Sequence, residues 1–397
     1  MDYNKYISEK VGKLKASAIR EMFKLMADPE IISLAGGSPD SSLFPSEELA
    51  EIAKDILTND PVKALQYGTT DGYAPFKEQV LERAAKIGCV ADGDKVIITT
   101  GEQQGIDLAV KTFVNEGEGV AVEEPSFVGS LNSIRAHNAK LIPVPMENDG
   151  INTEVFEETL KSQKIKLLYV IPTFQNPTGI TMSLEKRKKL LELAKKYDFF
   201  ILEDNPYGDL RFKGEDIPTI KSLDTEGRVI YCSSFSKILS PGLRLGYVIC
   251  NGAVIDRIEI AKQANDVHTP FFTQMLASEY LNKYDIDEVI KKARDIYGTK
   301  CAFMLECMEK YFPKTVTWTK PEGGLFIMCT VPVGTDIDAI LKESLKNKVA
   351  FVGGNSFMTD QEKPCNMFRL NYSTMPLDKI EKGIKSLGEV LSRMIKE

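Results

Sequence analysis

Lys237 is an amine placed where it could attack a carbonyl, inside the run Cys232-Ser-Ser-Phe-Ser-Lys-Ile-Leu-Ser-Pro-Gly-Leu-Arg-Leu-Gly-Tyr247. The apolar stretch Arg228-Val-Ile-Tyr-Cys232 reads as a strand that delivers Lys237 near its end, flanked by Ser234 and Ser236 and followed by Arg244. A lysine in that position can form a Schiff base with an aldehyde. Two hydroxyls and a guanidinium fork suit a phosphate dianion. The chemistry implied is an aldehyde that carries a phosphate, which describes pyridoxal 5'-phosphate. Most lysines are solvated surface charges, and Ser-x-Ser-Lys recurs in unrelated chains, so this reading depends on its context.

Three further segments supply that context. Phe199-Phe-Ile-Leu-Glu-Asp-Asn-Pro-Tyr-Gly208 reads as a buried strand ending in a carboxylate, Asp204, before a Pro/Gly turn. A pyridine nitrogen that draws electrons from a carbanion must stay protonated, and a neighbouring carboxylate favours that charged form. Tyr207 adds a phenol for the ring oxygen. Leu167-Leu-Tyr-Val-Ile-Pro-Thr-Phe-Gln-Asn-Pro-Thr-Gly179 is a second apolar strand closing in a turn, with Asn176 at its tip. An amide there can donate to a phenolate oxygen without titrating. Lys95-Val-Ile-Ile-Thr-Thr-Gly-Glu-Gln-Gln104 runs from a strand into Gly101 and at once into an amphipathic helix, so the amides of residues 101–103 form an anion cradle. Each segment also has an ordinary use: a strand-end Asp starts turns, Asn-Pro-Thr-Gly is a common turn, and strand-turn-helix joints occur throughout α/β proteins.

Seven apolar runs read as the strands that must position these groups: residues 96–100, 120–123, 140–145, 167–172, 199–203, 229–233 and 245–250. Helical patterns lie between several of them, such as Ser183-Leu-Glu-Lys-Arg-Lys-Lys-Leu-Leu-Glu-Leu-Ala194. The alternation predicts an α/β fold with a seven-stranded, mostly parallel sheet covered by helices on both faces. Ligands of such sheets lie at the carboxyl ends of the strands, where Gly101, Asn176, Asp204 and Lys237 all fall. From about residue 290 the pattern changes. A long helix (about 286–311), short strands around Val316-Thr-Trp318, Gly324-Leu-Phe-Ile-Met328 and Phe368-Arg-Leu-Asn371, and a closing helix from Leu377 predict a smaller α+β domain. The expected organisation is an N-terminal helix and arm over residues 1–40, a large domain over 41–290 and a small domain over 291–397.

The chain's 397 residues are enough for two domains with substantial cores, and 43% hydrophobic with 27% charged residues is a globular composition. A net charge of −7 without a basic block argues against a nucleic-acid partner. The runs Glu185-Lys-Arg-Lys-Lys189 and Lys291-Lys292 read as solvated helix faces. A polar N-terminus and the lack of a long apolar span argue against a signal peptide or membrane segment. Seven cysteines without a CxxC pair point to reduced thiols and a cytoplasmic location. The two histidines, His137 and His268, lie far apart without ligand patterns, so no metal is expected.

Taken in order, Gly-x-Gln-Gln, Asn-Pro-Thr-Gly, Asp-x-x-Tyr and Ser-x-Ser-Lys with Pro-Gly-x-Arg resemble the class I/II aminotransferases of pyridoxal-phosphate fold type I. The resemblance runs from about residue 16 to the C-terminus. It implies that Lys237 is the lysine bound to the cofactor aldehyde and the carrier of the substrate's α-proton, Asp204 the ring-nitrogen partner, and Asn176 and Tyr207 the ring-oxygen pair. Ser234, Ser236 and Arg244 would hold the phosphate, with Gln103 and the amides of Gly101 and Glu102 completing the cup. Glu102 departs from the family's usual small or hydroxyl residue, and its side chain is expected to turn away. Phe127 matches the aromatic that stacks on the ring, without the hydroxyl often found there. Tyr67 matches a tyrosine reaching the phosphate of the partner subunit, which implies a homodimer with shared active sites. Arg369 matches the grip on the substrate α-carboxylate, and Gly36 and Gly37 the backbone that lies against bound substrate.

Ala16-Ser-Ala-Ile-Arg-Glu-Met-Phe-Lys-Leu25 followed by Leu34-Ala-Gly-Gly-Ser-Pro39 is similar to the 2-aminoadipate/kynurenine branch. The similarity implies acidic or aromatic amino-acid donors with 2-oxoglutarate as acceptor, and a contact from Arg20 to a distal carboxylate; Arg20 as a solvated helix residue is the competing reading. Two other readings stay open. A β-eliminating C–S lyase uses the same cofactor-binding residues, and the fold also serves as a ligand-sensing module behind a DNA-binding domain, for which the stretch before Ala35 leaves little room.

Overall fold

The computed structural model describes residues 1, 3–12, 14 and 30–395. The helix expected over residues 16–26, with Arg20 on it, lies outside them. The seven expected strands all form and share one eight-stranded sheet. Their spatial order is Asp94–Thr100, Leu245–Asn251, Val229–Ser234, Phe200–Asp204, Ile165–Val170, Gly119–Glu124, Lys140–Glu147 and Gly150–Ile151. The additional edge strand, Gly150–Ile151, is two residues long and too short to show a period in the sequence.

Side chains alternate across the sheet, so each strand feeds two cores. Leu167 and Tyr169 pack on one face with Leu202, Ile230 and Cys232, while Leu168 and Val170 pack on the other with Ile201 and Val229. Helices cover both faces, which is why these strands read as unbroken apolar runs. Leu245–Asn251 is antiparallel to both neighbours, Asp94–Thr100 and Val229–Ser234, whereas the five strands from Val229–Ser234 to Lys140–Glu147 run parallel. The reversal of Leu245–Asn251 matters for the site. It sets Leu245 opposite Thr100 and Gly246 opposite Ser234, so Arg244 arrives at the same sheet edge as the strand ends.

The C-terminal part of the chain holds a four-stranded antiparallel sheet in the order Thr317–Trp318, Phe326–Thr330, Met367–Asn371, Val352–Gly353. The helices Ile286–Tyr311 and Leu377–Met394 pack together beside it, and the first of them crosses residue 290 without a break. Ile32–Ser33 pairs in parallel with Val349–Ala350, and the N–H of Asn371 donates to Leu34 O at 2.8 Å, which ties the arm to the small sheet.

One expectation fails in the charged run 185–189. Arg187 is fully buried rather than solvated. Its guanidinium donates to Met182 O (3.1 Å), Pro172 O (2.8 Å), Thr173 Oγ1 (3.0 Å) and Pro218 O (3.0 Å). Those acceptors bracket the loop that carries Asn176. Burying a guanidinium is tolerable only when its donors are satisfied, and backbone carbonyls with one hydroxyl do so here.

Candidate active site

The carboxyl edge of the large sheet and the small C-terminal sheet frame a cavity of about 300 Å³, at the low end for a small-molecule pocket. Its floor is built from strand ends. Asp204, the last residue of Phe200–Asp204, is 2% exposed. The Tyr169 hydroxyl, from the adjacent strand, donates to its Oδ2. Asp204 Oδ1 is buried with no donor among the described residues. Lys237 follows the end of Val229–Ser234, lines the same cavity, and donates from Nζ to Gly37 O at 2.6 Å. Burial lowers its ammonium to about 8; Glu102 opposes the shift, while the positive charges of Arg369 and Arg244 add to it.

The Glu102 side chain departs from the expectation that it turns away. It points into the cavity and meets Asp204. Burial and then the Asp204 charge push its carboxyl well above the usual range. Glu102 is the first residue of the helix Glu102–Phe113, which follows directly from the strand Asp94–Thr100 at the sheet's carboxyl edge.

The rim is made of backbone as much as of side chains. Gly101 has φ 74°, and a Cβ there would fall inside the Arg244 guanidinium, so glycine is required. The Gly101 N–H is already taken by Thr99 O at 2.8 Å. The cradle therefore rests on the amides of Glu102 and Gln103 at the helix start. The Gln103 side chain points elsewhere, donating to Gly129 O (3.0 Å) and Ser133 Oγ (2.8 Å). Ser234 Oγ and Ser236 Oγ are 2.7 Å apart and both face the cavity. Arg244, held in a left-handed conformation with φ 55°, reaches Thr100 O and Pro241 O from an exposed position.

Opposite the floor, the small sheet contributes Arg369 from Met367–Asn371. It is 1% exposed, donating from Nη1 to Asn176 Oδ1 (2.8 Å) and from Nη2 to Ala35 O (2.7 Å). Its Nε has no partner among the described residues. The rings of Phe326 and Phe357 flank the guanidinium at 4.1 and 4.9 Å, and burial lowers it to about 10. Asn176 and Tyr207 line the cavity beside it, Tyr207 with its phenol raised by burial. Phe127 caps the start of Val128–Ala136 and also faces inward. Gly37 closes the top, where a Cβ would crowd Phe326 Cζ at 3.3 Å.

Twelve positions singled out in the sequence thus line one cavity: Gly37, Glu102, Gln103, Phe127, Asn176, Asp204, Tyr207, Ser234, Ser236, Lys237, Arg244 and Arg369. Gly101 sits directly behind Arg244. Tyr67 does not join them; it is 82% exposed, with its ring edge-on to His268 at 5.8 Å. Two residues escaped the sequence reading. Tyr169 carries a hydroxyl in a fully buried strand, a signal that was present, since a buried phenol needs an acceptor. Phe326 walls the cavity but reads as ordinary core. Among the described residues no cluster of metal-ligating side chains occurs and no helix is long and apolar enough to cross a membrane.

The donor set fits a phosphorylated pyridine aldehyde: an orphaned buried carboxylate oxygen for a ring N–H, a buried amine for the aldehyde, and a glycine-opened cradle with an arginine for the phosphate. Comparisons with known proteins agree. The family model "Aminotransferase class I and II" matches residues 29–387. Aromatic-amino-acid aminotransferase 1 of Thermococcus litoralis is 40% identical, covering 100% of this chain and 96% of the relative. The crystal structure of Pyrococcus horikoshii kynurenine aminotransferase, in complex with PMP, superposes with a TM-score of 0.95 at 40% identity over 100% of this chain and 99% of that one. LysN, an α-aminoadipate aminotransferase from Thermus thermophilus complexed with N-(5'-phosphopyridoxyl)-L-leucine, does so at 0.92 and 35% identity over 99% of both chains. With the family model spanning most of the chain and relatives matching it over their full length, this chain belongs to the class I and II aminotransferase family.

Proposed function

We propose that the protein moves the amino group of an acidic or aromatic L-amino acid, 2-aminoadipate and glutamate included, to a 2-oxo acid such as 2-oxoglutarate, using pyridoxal 5'-phosphate. The observation that carries this is the meeting of Lys237, Asp204 and Arg369 in one enclosed cavity. The cofactor, when bound, supplies an electron sink for the charge left on the substrate α-carbon. The rest is work for the chain's own side chains. Lys237, with its amine lowered to about 8, has a neutral fraction near neutral pH and takes the α-proton on Nζ, then returns it. Asp204 holds positive charge at the ring nitrogen, and Asn176 and Tyr207 fix the ring oxygen. Arg369 offers Nε and a second N–H to the substrate α-carboxylate. Ser234, Ser236, Arg244 and the Glu102 and Gln103 amides take the phosphate, while Phe127 covers the ring.

Relatives described as acting on aromatic amino acids, kynurenine and α-aminoadipate support the substrate class. Arg20 as a contact for a distal carboxylate is proposed from sequence alone. A homodimer with Tyr67 serving the neighbouring site is supported by the exposed apolar stretch Val62, Leu65 and Tyr67, which a partner surface would cover. All seven cysteines are buried free thiols, in keeping with a reducing cytoplasm.

The test is Lys237→Ala in purified protein loaded with pyridoxal phosphate. The visible band of the bound cofactor and amino transfer across a donor–acceptor panel should both vanish. A variant that still turns over would overturn the assignment.

A further inference from the structure

Glu102 stands where the rim meets the floor, and among the described residues its side chain is the one titratable group lining the cavity that the proposed chemistry does not use. Its Oε1 and Asp204 Oδ1 are both buried without a donor among the described residues, and the two carboxyls are in hydrogen-bond contact. Two ionised carboxylates cannot share a dry contact, so one proton lies between them. Its position follows from the surroundings. Asp204 already accepts from Tyr169 at Oδ2 and faces the site of a cationic ring nitrogen, both of which favour its anion. Glu102 has no such donor at Oε1.

We propose that Glu102 is a positioning residue for Asp204, held as a neutral carboxylic acid that donates to Asp204 Oδ1 beneath the cofactor ring. Asp204 is then clamped from both sides, by a phenol on one oxygen and a carboxylic acid on the other. The charged and titratable groups facing the pair divide. Lys237, Arg369 and Arg244 on the walls favour ionisation of the pair, and the Asn205 N–H favours the Glu102 anion. Burial opposes a second negative charge, and Glu123, Tyr207 and Cys232 nearby, each raised by burial and by the Asp204 charge, bring no positive charge to offset it. Burial is the largest influence on both carboxyls. The consequence is that Asp204 keeps its charge and orientation, and with it the protonated ring nitrogen, over a wider pH range than a lone buried aspartate would.

This inference rests on the cofactor proposal above, and its test separates the two. Wild type, Glu102→Gln and Glu102→Leu are loaded with pyridoxal phosphate and compared. Gln keeps a neutral donor, so it should bind cofactor as tightly as wild type and titrate with the same visible-band midpoint. Leu removes the donor, and should weaken cofactor binding by about tenfold and move that midpoint. The infrared carbonyl stretch of an un-ionised carboxyl, present in wild type at neutral pH, should be missing from the Gln variant. If Leu fails to fold, the infrared difference between wild type and Gln decides alone. The proposal falls if that band is absent, if Gln loses as much as Leu, or if Leu behaves as wild type. If wild type itself takes up no cofactor, the function assignment fails instead.

Discussion

The floor and the rim of the cavity meet at Glu102 and Gly101 and at Lys237 and Arg244, yet they work by different physics. On the floor, Asp204 and Tyr169 are buried and Glu102 and Lys237 partly so, and burial leads the causes that shift each of them. At the rim, Arg244 is exposed, and what counts is backbone geometry: the left-handed turns at Gly101 and Arg244 and the amides that open the helix at Glu102. A dry site amplifies each charge, whereas a wet rim needs several modest contacts to hold an anion. The floor is built to set reactivity and the rim to set occupancy.

Substitutions that strike one region and spare the other put this to the test. Asp204→Asn should lower kcat by about a hundredfold to a thousandfold, because the charge partner of the ring is lost while the phosphate contacts remain; cofactor retention is checked by gel filtration and absorbance. Loss of cofactor with normal kcat in the residual holoenzyme would reverse the assignment of the two regions. Arg244→Gln should raise the cofactor dissociation constant by about tenfold at low salt, and by less as ionic strength rises, with kcat of the saturated enzyme unchanged. An equal fall in kcat would mean that the rim also shapes reactivity.

The smallest effect concerns the cofactor-free protein. The Lys237 ammonium titrates near 8 when folded against 10.5 in the unfolded reference. Between those values the unfolded chain binds more protons, so stability rises with pH across that window and the burial penalty is fully present below about 8. Melting temperatures of cofactor-free wild type and Lys237→Met should therefore converge as pH climbs from about 8 toward 10.5. A gap that stays constant would place the amine in solvent.

Much of this was legible because strand ends announce themselves. Asp204 and Lys237 terminate or follow apolar runs before turns, and a parallel sheet brings such ends to one edge. The rim was legible only in part. Gly101 could be read as a turn glycine, but that its N–H is spent on Thr99 O follows from the turn's actual path. Arg187 looked solvated because its neighbours Lys186 and Lys188 are charged; only the fold shows that its helix lays this one position on the carbonyls of the Asn176 loop.

Sequence alone therefore determined the chemistry available: an amine, a carboxylate, an amide, a phenol and two guanidinium forks, spaced along strands whose apolar runs dictate burial. Tertiary structure decided which of those groups share a solvent-free volume. Arg369 reaches Asn176 only because the small sheet folds back over the large one. Glu102 faces Asp204 only because its helix starts directly above the strand end. Local pattern sets what a residue can do, but the dielectric around it, and hence its charge, depends on neighbours distant in the chain.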